Sequence, residues 1–266
     1  MCFQEKEYIG IQIPGLQRLL KRRPTTLMIE ELTLSQNLPI EQQLRNTIMS
    51  IRIDDIAPDF TVDSTGGKIK LHDWIGDSYA ILFSHPKDFT PVCTTEFGAV
   101  AQLVPEFAKR NTKVMGVSVD NVEEHIKWKR DIEAFAGTAA DFPIIDDTSL
   151  HVSKLYDMLP AGAYLTENRT PANSATVRTV FIIGPDKKIR LTMSYPMSVG
   201  RNFAEILRAL DAVQITDGAP IATPANWVPG QDVIVGLGLN DEQAKEKFGN
   251  IDIKLPYLRF AKAPKK

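Results

Sequence analysis

The chain has 266 residues, 43% of them hydrophobic and 24% charged, a globular composition that rules out disorder over most of its length and allows one large domain or one plus a smaller annex. Its 31 basic and 33 acidic side chains leave a formal charge of −2, which removes the broad electrostatic case for a nucleic-acid or anionic-membrane partner. Apolar runs such as residues 79–83 and 180–183 are far shorter than the ~18 residues of a membrane span, and two cysteines, Cys2 and Cys93, exclude a disulfide scaffold and a four-cysteine zinc site and point to a reducing, cytoplasmic setting.

Residues 1–50 join a basic patch (Arg18, Lys21, Arg22 and Arg23) to a polar stretch over 35–45. A transit peptide is Arg-rich and nearly free of acids, so Glu5, Glu7, Glu30, Glu31 and Glu41 count against one. The segment reads as a weakly ordered extension, or as sequence upstream of a natural start at Met49.

From residue 51 the pattern is regular. Residues 79–83 read as a buried strand. Over 93–110 the residues Phe97, Val100, Ala101, Val104, Phe107 and Ala108 have the spacing of an amphipathic helix. A second strand is expected over 113–119, then a charged helix over 122–135 with Ile126, Ile132 and Phe135 inward. A third strand is expected over 142–145 and a short helix over 149–159 capped by Ser149. Residues 177–183 and 188–194 flank Gly184-Pro185-Asp186-Lys187, the composition of a hairpin turn. Residues 202–213 form a helix with Phe203, Ile206, Leu207, Leu210 and Val213 inward. The order implies an α/β domain over 51–215, a central mixed sheet with helices on both faces and one antiparallel edge. Residues 216–230, with Pro220, Pro224 and Pro229, read as linker, followed by a short helix over 241–248 and the apolar tail Pro256-Tyr257-Leu258-Arg259-Phe260. Residues 216–266 are too few to bury a core alone. They form a small C-terminal annex, and exposed Trp227, Tyr257 and Phe260 point to a homodimer.

The informative segment runs from Phe83 to Glu96. It joins the first strand to the first long helix, at the carboxyl end of the strand where open α/β sheets place their sites. Thr90-Pro91 is a helix start signal, which puts Cys93 in the first turn. Unpaired N–H groups and the helix dipole there favour a thiolate, the nucleophilic form. A buried core cysteine is the common alternative, although such a residue needs no frame of two prolines, two threonines and a histidine.

Pro86-x-x-x-Thr90-x-x-Cys93 resembles the active-site signature of the peroxiredoxins, and the string from Ser84-His85-Pro86 to Cys93-Thr94-Thr95-Glu96 is similar to the one-cysteine, peroxiredoxin-6-like subgroup. Val177-Arg178-Thr179-Val180-Phe181, Gly184-Pro185-Asp186-Lys187-Lys188, Tyr195-Pro196 and Gly200-Arg201-Asn202-Phe203 extend the likeness, as do Ala222-Thr223-Pro224-Ala225-Asn226-Trp227 and Pro256-Tyr257-Leu258-Arg259. It covers residues 51–266 and leaves 1–50 unmatched. It implies a thioredoxin-like fold and reduction of hydrogen peroxide or organic hydroperoxides. On that reading Cys93 attacks one peroxide oxygen and becomes a sulfenic acid. The Thr90 hydroxyl touches thiolate and peroxide, or caps the helix instead. Arg178 steadies negative charge, Pro86 covers the sulfur, and Glu96 and Arg201 orient Arg178. His85, eight residues before the cysteine, is placed near it.

No cysteine follows Cys93, so the resemblance implies recycling by an external reductant: glutathione, a thioredoxin-type protein or ascorbate. His72, His125 and His151 lack evident convergent partners, and neither a metal nor a cofactor is expected. Some subgroup members carry a lipase-like Gly-x-Ser-x-Gly motif. Here it reads Gly76-Asp77-Ser78-Tyr79-Ala80, with His72 and Asp186 at the partner positions, and Ala80 in place of glycine weakens the case for a tight nucleophile turn. Two other classes remain: a redox-sensing or chaperone-like oligomer switched by Cys93 oxidation, and a thiol–disulfide oxidoreductase, which wants Cys-x-x-Cys where this chain has Thr90.

Overall fold

The computed structural model describes residues 51–165 and 173–264; the readings placed on residues 1–50, Cys2 and Met49 included, lie outside them. Ile51–Lys266 is one compact unit. It opens with a short antiparallel pair, β1 (Thr61–Val62) and β2 (Ile69–Lys70), and the helix α1 (Leu71–Ile75). There follow β3 (Tyr79–Ser84), α2 (Pro91–Lys109), β4 (Thr112–Ser118), α3 (Val122–Ala136), β5 (Ile144–Asp146) and α4 (His151–Leu155). The hairpin β6 (Arg178–Ile183) and β7 (Ile189–Tyr195) and the helix α5 (Phe203–Thr216) complete the main layer structure.

The central sheet has the order β5-β4-β3-β6-β7, parallel from β5 to β3 and antiparallel across β3–β6 and β6–β7. Side chains alternate across a strand, and both faces of this sheet are covered. Ile81, Phe83, Val180 and Ile182 point to the layer of α2, α3 and α5, where Phe97, Val100, Trp128, Ile132, Phe203 and Ile206 meet them. Ala80, Leu82, Phe181 and Ile183 point the other way, onto Leu71, Ile75, Val152 and Tyr156 of the α1 and α4 layer. Each large side chain buried in this way contributes ~1.5–3 kcal/mol. This is the expected mixed sheet with helices on both faces.

Two helices depart from expectation. The buried stripe of α3 is His125, Trp128 and Ile132, whereas Ile126 and Phe135 are 47% and 61% exposed. At about 100° per residue His125 and Trp128 lie about 20° and 40° to either side of Ile132, whereas Ile126 and Phe135 lie about 120° and 60° from it, outside the buried stripe. The short helix starts at His151, not 149, and ends at Leu155. Leu150 stands at the cap position in the left-handed region, φ 61°, and makes no side-chain cap. The buried Asp147 carboxylate caps the helix, accepting from the Val152 and Ser153 amides at 2.9 and 2.7 Å, and the Ser149 hydroxyl accepts from the His151 amide at 3.3 Å.

Beyond α5 the chain builds a second sheet that periodicity did not reveal: β8 (Ile221–Ala222), β9 (Val233–Val235), β10 (Ile251–Leu255) and β11 (Leu258–Ala261), antiparallel in the order β10-β11-β9-β8, with α6 (Asp241–Phe248) between β9 and β10. Strands of two to five residues separated by prolines carry too few alternations to register. The expected tail is a hairpin. Trp227, expected at the surface, is 1% exposed: it packs with Ile221 and Val233 and against Ala212 and Ile215 of α5, while its indole N–H donates to the Gln231 carbonyl at 3.1 Å. Arg208 of α5 donates to the Trp227 carbonyl at 2.8 Å. Tyr257 does stay exposed, at 64%, and Phe260 is half-buried.

Candidate active site

The site forms where β3 runs out. The Ser84 hydroxyl donates to the Val177 carbonyl at 2.6 Å and accepts from the Thr179 amide at 3.0 Å, and the Thr176 hydroxyl donates to the His85 carbonyl at 2.8 Å. These bonds staple the loop after β3 to the first residues of β6. Thr90 is extended (φ −118°, ψ 146°) and Pro91 opens α2, so Cys93 lies at the third helical position. The Thr90 hydroxyl neither caps the helix nor touches the sulfur; it donates to the Lys87 carbonyl at 2.9 Å. Pro86 is buried, and Phe89, at φ 55° and 49% exposed, holds the outer side of the loop in a conformation that bulky residues rarely adopt.

Cys93 is fully buried. Arg178, the first residue of β6, aims Nη1 at its sulfur from 3.4 Å and donates from the same nitrogen to Glu96 Oε2 at 2.7 Å, while its Nε donates to the Met197 carbonyl at 2.8 Å. Glu96, one helical turn on from Cys93, also receives Arg201: Nη2 to Oε2 at 2.7 Å, Nε to Oε1 at 2.9 Å and the backbone amide to Oε1 at 2.8 Å. Arg201 is anchored by the Ser84 carbonyl at 2.8 Å and packs over the rings of Phe83 and Phe203. Burial pushes the Glu96 carboxyl up, but the Arg201 hydrogen bonds and charge outweigh it and hold the group below the usual range. Two guanidiniums face one carboxylate, so the cluster has one positive charge in excess. Buried charge is costly unless matched. The Cys93 sulfur, 3.4 Å from Arg178 Nη1, lies against that excess charge.

A second polar cluster lies beside the first. His85 places Nε2 2.7 Å from Asp88 Oδ1, and His125 places Nδ1 2.6 Å from Asp88 Oδ2 and Nε2 2.9 Å from the Ile145 carbonyl. His85 therefore bonds Asp88 and not Cys93, and His125 has convergent partners after all. Burial lowers His85 below its ordinary value. Burial also works to lower His125, but Asp88 outweighs it and the group is raised. Burial raises Asp88, yet the two imidazoles prevail and hold it at about 2. His85, Asp88 and Asp120 bring ligand atoms within 4.8 Å of one another; the His85–Asp88 bond, and the Asp88 amide and Ser118 hydroxyl that donate to Asp120 at 2.8 and 3.0 Å, already account for that spacing.

The lipase-like set does not assemble. The Ser78 hydroxyl donates to the Ile75 carbonyl at 2.5 Å, His72 Nε2 stands 2.7 Å from the Ala57 carbonyl, and Asp186 pairs with Arg190 at 3.0 Å. Cys93, Glu96, Arg178 and Arg201 thus converge, whereas Thr90 and His85 spend their hydrogen bonds elsewhere. Asp88 and His125 were missed. Asp88 sits inside the motif segment, but nothing in spacing ties it to a histidine on another helix.

Residues 53–192 match the AhpC/TSA family, and residues 212–249 match the C-terminal domain of 1-Cys peroxiredoxin. The chain is 50% identical over 214 residues to the mitochondrial peroxiredoxin PRX1 of Saccharomyces cerevisiae, an alignment covering 80% of this chain and 81% of that protein. It superposes on a mutant of the peroxiredoxin 6 of Arenicola marina with a TM-score of 0.76 and 43% identity, over 82% of this chain and 100% of the other. It also superposes on a yeast mitochondrial 1-Cys peroxiredoxin, solved for its thiol resolving mechanism via glutathione/thioredoxin systems, with a TM-score of 0.73 and 49% identity over 80% and 99%. The mitochondrial relative overturns the cytoplasmic placement read from cysteine usage. A free thiol reports a reducing environment, and the cytosol is not the sole compartment of that kind.

Proposed function

The chain belongs to the AhpC/TSA family as a one-cysteine peroxiredoxin, and from that premise we propose how its residues divide the work. It is a thiol peroxidase. The Cys93 thiolate attacks one oxygen of the hydroperoxide, the O–O bond breaks, Cys93 becomes a sulfenic acid, and the alkoxide or hydroxide that leaves takes up a proton. Arg178 is the donor aimed at that path, Glu96 fixes its guanidinium, and Arg201 fixes Glu96. The observation that carries this is the 3.4 Å approach of Arg178 Nη1 to Cys93 Sγ within a buried cluster of excess positive charge. Because the sulfur is enclosed, turnover includes an opening of the site.

Regeneration uses two thiols: the first condenses with the sulfenic acid to give a mixed disulfide and water, and the second releases the Cys93 thiolate and a disulfide. A glutathione- or thioredoxin-type reductant is favoured over ascorbate, supported by the solved yeast relative. A mitochondrial location is supported by the yeast relative of 50% identity, and subcellular fractionation tests it. The homodimer is supported by the exposed Leu237, Ile253, Leu255 and Tyr257 of the second sheet's surroundings, and mass photometry tests it. The deciding experiment measures peroxide consumption with glutathione, a thioredoxin system and ascorbate side by side. Cys93→Ser is silent and Cys2→Ser active; loss of turnover in the Cys2 variant overturns the one-cysteine assignment.

A further inference from the structure

We infer that Asp88 and His125 are positioning residues of the peroxidase site: a buried carboxylate–imidazolium pair that holds His85 in a single tautomer and orientation. The protonation states follow from what each partner is able to do. A carboxylate and a backbone carbonyl only accept hydrogen bonds. His125 has one of each, Asp88 Oδ2 at 2.6 Å from Nδ1 and the Ile145 carbonyl at 2.9 Å from Nε2, so both of its nitrogens donate and the ring is an imidazolium. Asp88 Oδ1, 2.7 Å from His85 Nε2, likewise accepts, so His85 carries its proton on Nε2. Among the described residues its Nδ1 is buried without a partner. A proton there would make a second buried cation beside His125, the ring centroids being 6.3 Å apart, so Nδ1 presents a lone pair.

The charged groups around the pair agree. Asp120 is a further carboxylate acting on both rings; it accepts from the Asp88 amide at 2.8 Å and from the Ser118 hydroxyl at 3.0 Å. Two carboxylates thus surround one imidazolium and one neutral imidazole. The plane of His85 is set by Trp128, stacked at 5.0 Å, and by the edge of Phe97 at 4.5 Å, both in the buried cluster that contains Cys93. Trp128 in turn donates to the hydroxyl of Thr94, the neighbour of Cys93, at 3.1 Å. The result is an acceptor of fixed direction beside the thiol layer, available to a hydroxyl that arrives with the substrate. That consequence rests on the peroxidase reading of Cys93; the pair itself does not.

The test separates the two. Side-chain 15N–1H correlation spectra of the full chain, taken without peroxide at pH 7, report imidazole protonation directly. His125 is expected to show two protonated nitrogens and His85 an Nε2–H tautomer. A neutral His125, or a His85 protonated on Nδ1, overturns the inference whatever the activity. Asp88→Asn and His125→Asn then test the consequence. Each is expected to slow peroxide reduction about tenfold and to change the shape of its pH profile, with the His85 tautomer no longer unique. Variants that lose thermal stability but keep the wild-type pH profile and the single His85 tautomer leave a merely structural pair and overturn the positioning role.

Discussion

Arg178 Nη1 stands 3.4 Å from Cys93 Sγ although 85 residues of chain separate the two. The approach depends on strands β3 and β6 being direct neighbours in the sheet, with Ser84 and Thr176 bridging their ends. The guanidinium is shared between sulfur and Glu96, so its position is set before any substrate arrives. Such preorganised donors are what make electrostatic catalysis effective in a closed site.

Removing that donor is expected to slow the reaction and leave the fold standing. Arg178→Ala is expected to lower the second-order rate of peroxide reduction by roughly 10²–10³-fold, the usual cost of a lost donor at a reacting centre. Arg178→Lys keeps the charge but not the fork that bonds sulfur, Glu96 and the Met197 carbonyl together. It falls between wild type and alanine. Stopped-flow measurement of sulfenic acid formation checks both, and a wild-type rate in the alanine variant refutes the assignment.

Glu96→Gln strikes stability first. It keeps the volume but leaves two buried guanidiniums without their shared carboxylate. Breaking a buried pair in this way costs about 3–5 kcal/mol. Urea unfolding of the variant is the measurement, and a change below 1 kcal/mol, on the order of a surface ion pair, contradicts the burial argument.

The His85–Asp88–His125 cluster sets an acid limit. Asp88 is held at about 2 against an ordinary 3.8, so its contribution is full above that ordinary value and is lost as pH falls toward 2. By linkage this is worth about 2 kcal/mol. His85 is lowered from 6.5, so stability already begins to fall as pH drops below 6.5. The raised His125 acts at the opposite end: its contribution is full below 6.5 and is lost as pH climbs through its folded value. Thermal melts from pH 2 to 9 are expected to peak near neutrality, and Asp88→Asn is expected to flatten the acid limb. An unchanged acid limb in that variant places the effect elsewhere.

Trp227→Ala tests how the second sheet is fastened. The indole is enclosed between Ile221, Val233 and α5, so its removal is expected to cost about 3–5 kcal/mol. Hydrogen exchange is expected to rise over residues 221–261 more than over β3 and β4. Uniform exchange across the chain indicates that the two sheets unfold together.

Much of the candidate site was legible before folding. A threonine and a proline opening an amphipathic helix, with a cysteine in its first turn at the end of an apolar strand, are local patterns, and β3, α2, β4, β6, β7 and α5 lie within a few residues of where periodicity put them. The inner face of α3 was not legible, because His125 is buried by its bonds to Asp88 and Ile145 and not by apolar character. The second sheet was not legible because its strands are too short to alternate.

What the linear order determined, then, was a strand–loop–helix unit presenting one sulfur, together with the charged residues available to serve it. Only packing decided which of them do. A hydrogen bond 3 Å long depends on strand neighbours and on the layer a side chain faces. Those are relations between distant segments, so Arg178 reached the sulfur while the Thr90 hydroxyl turned back to Lys87 and His85 turned to Asp88.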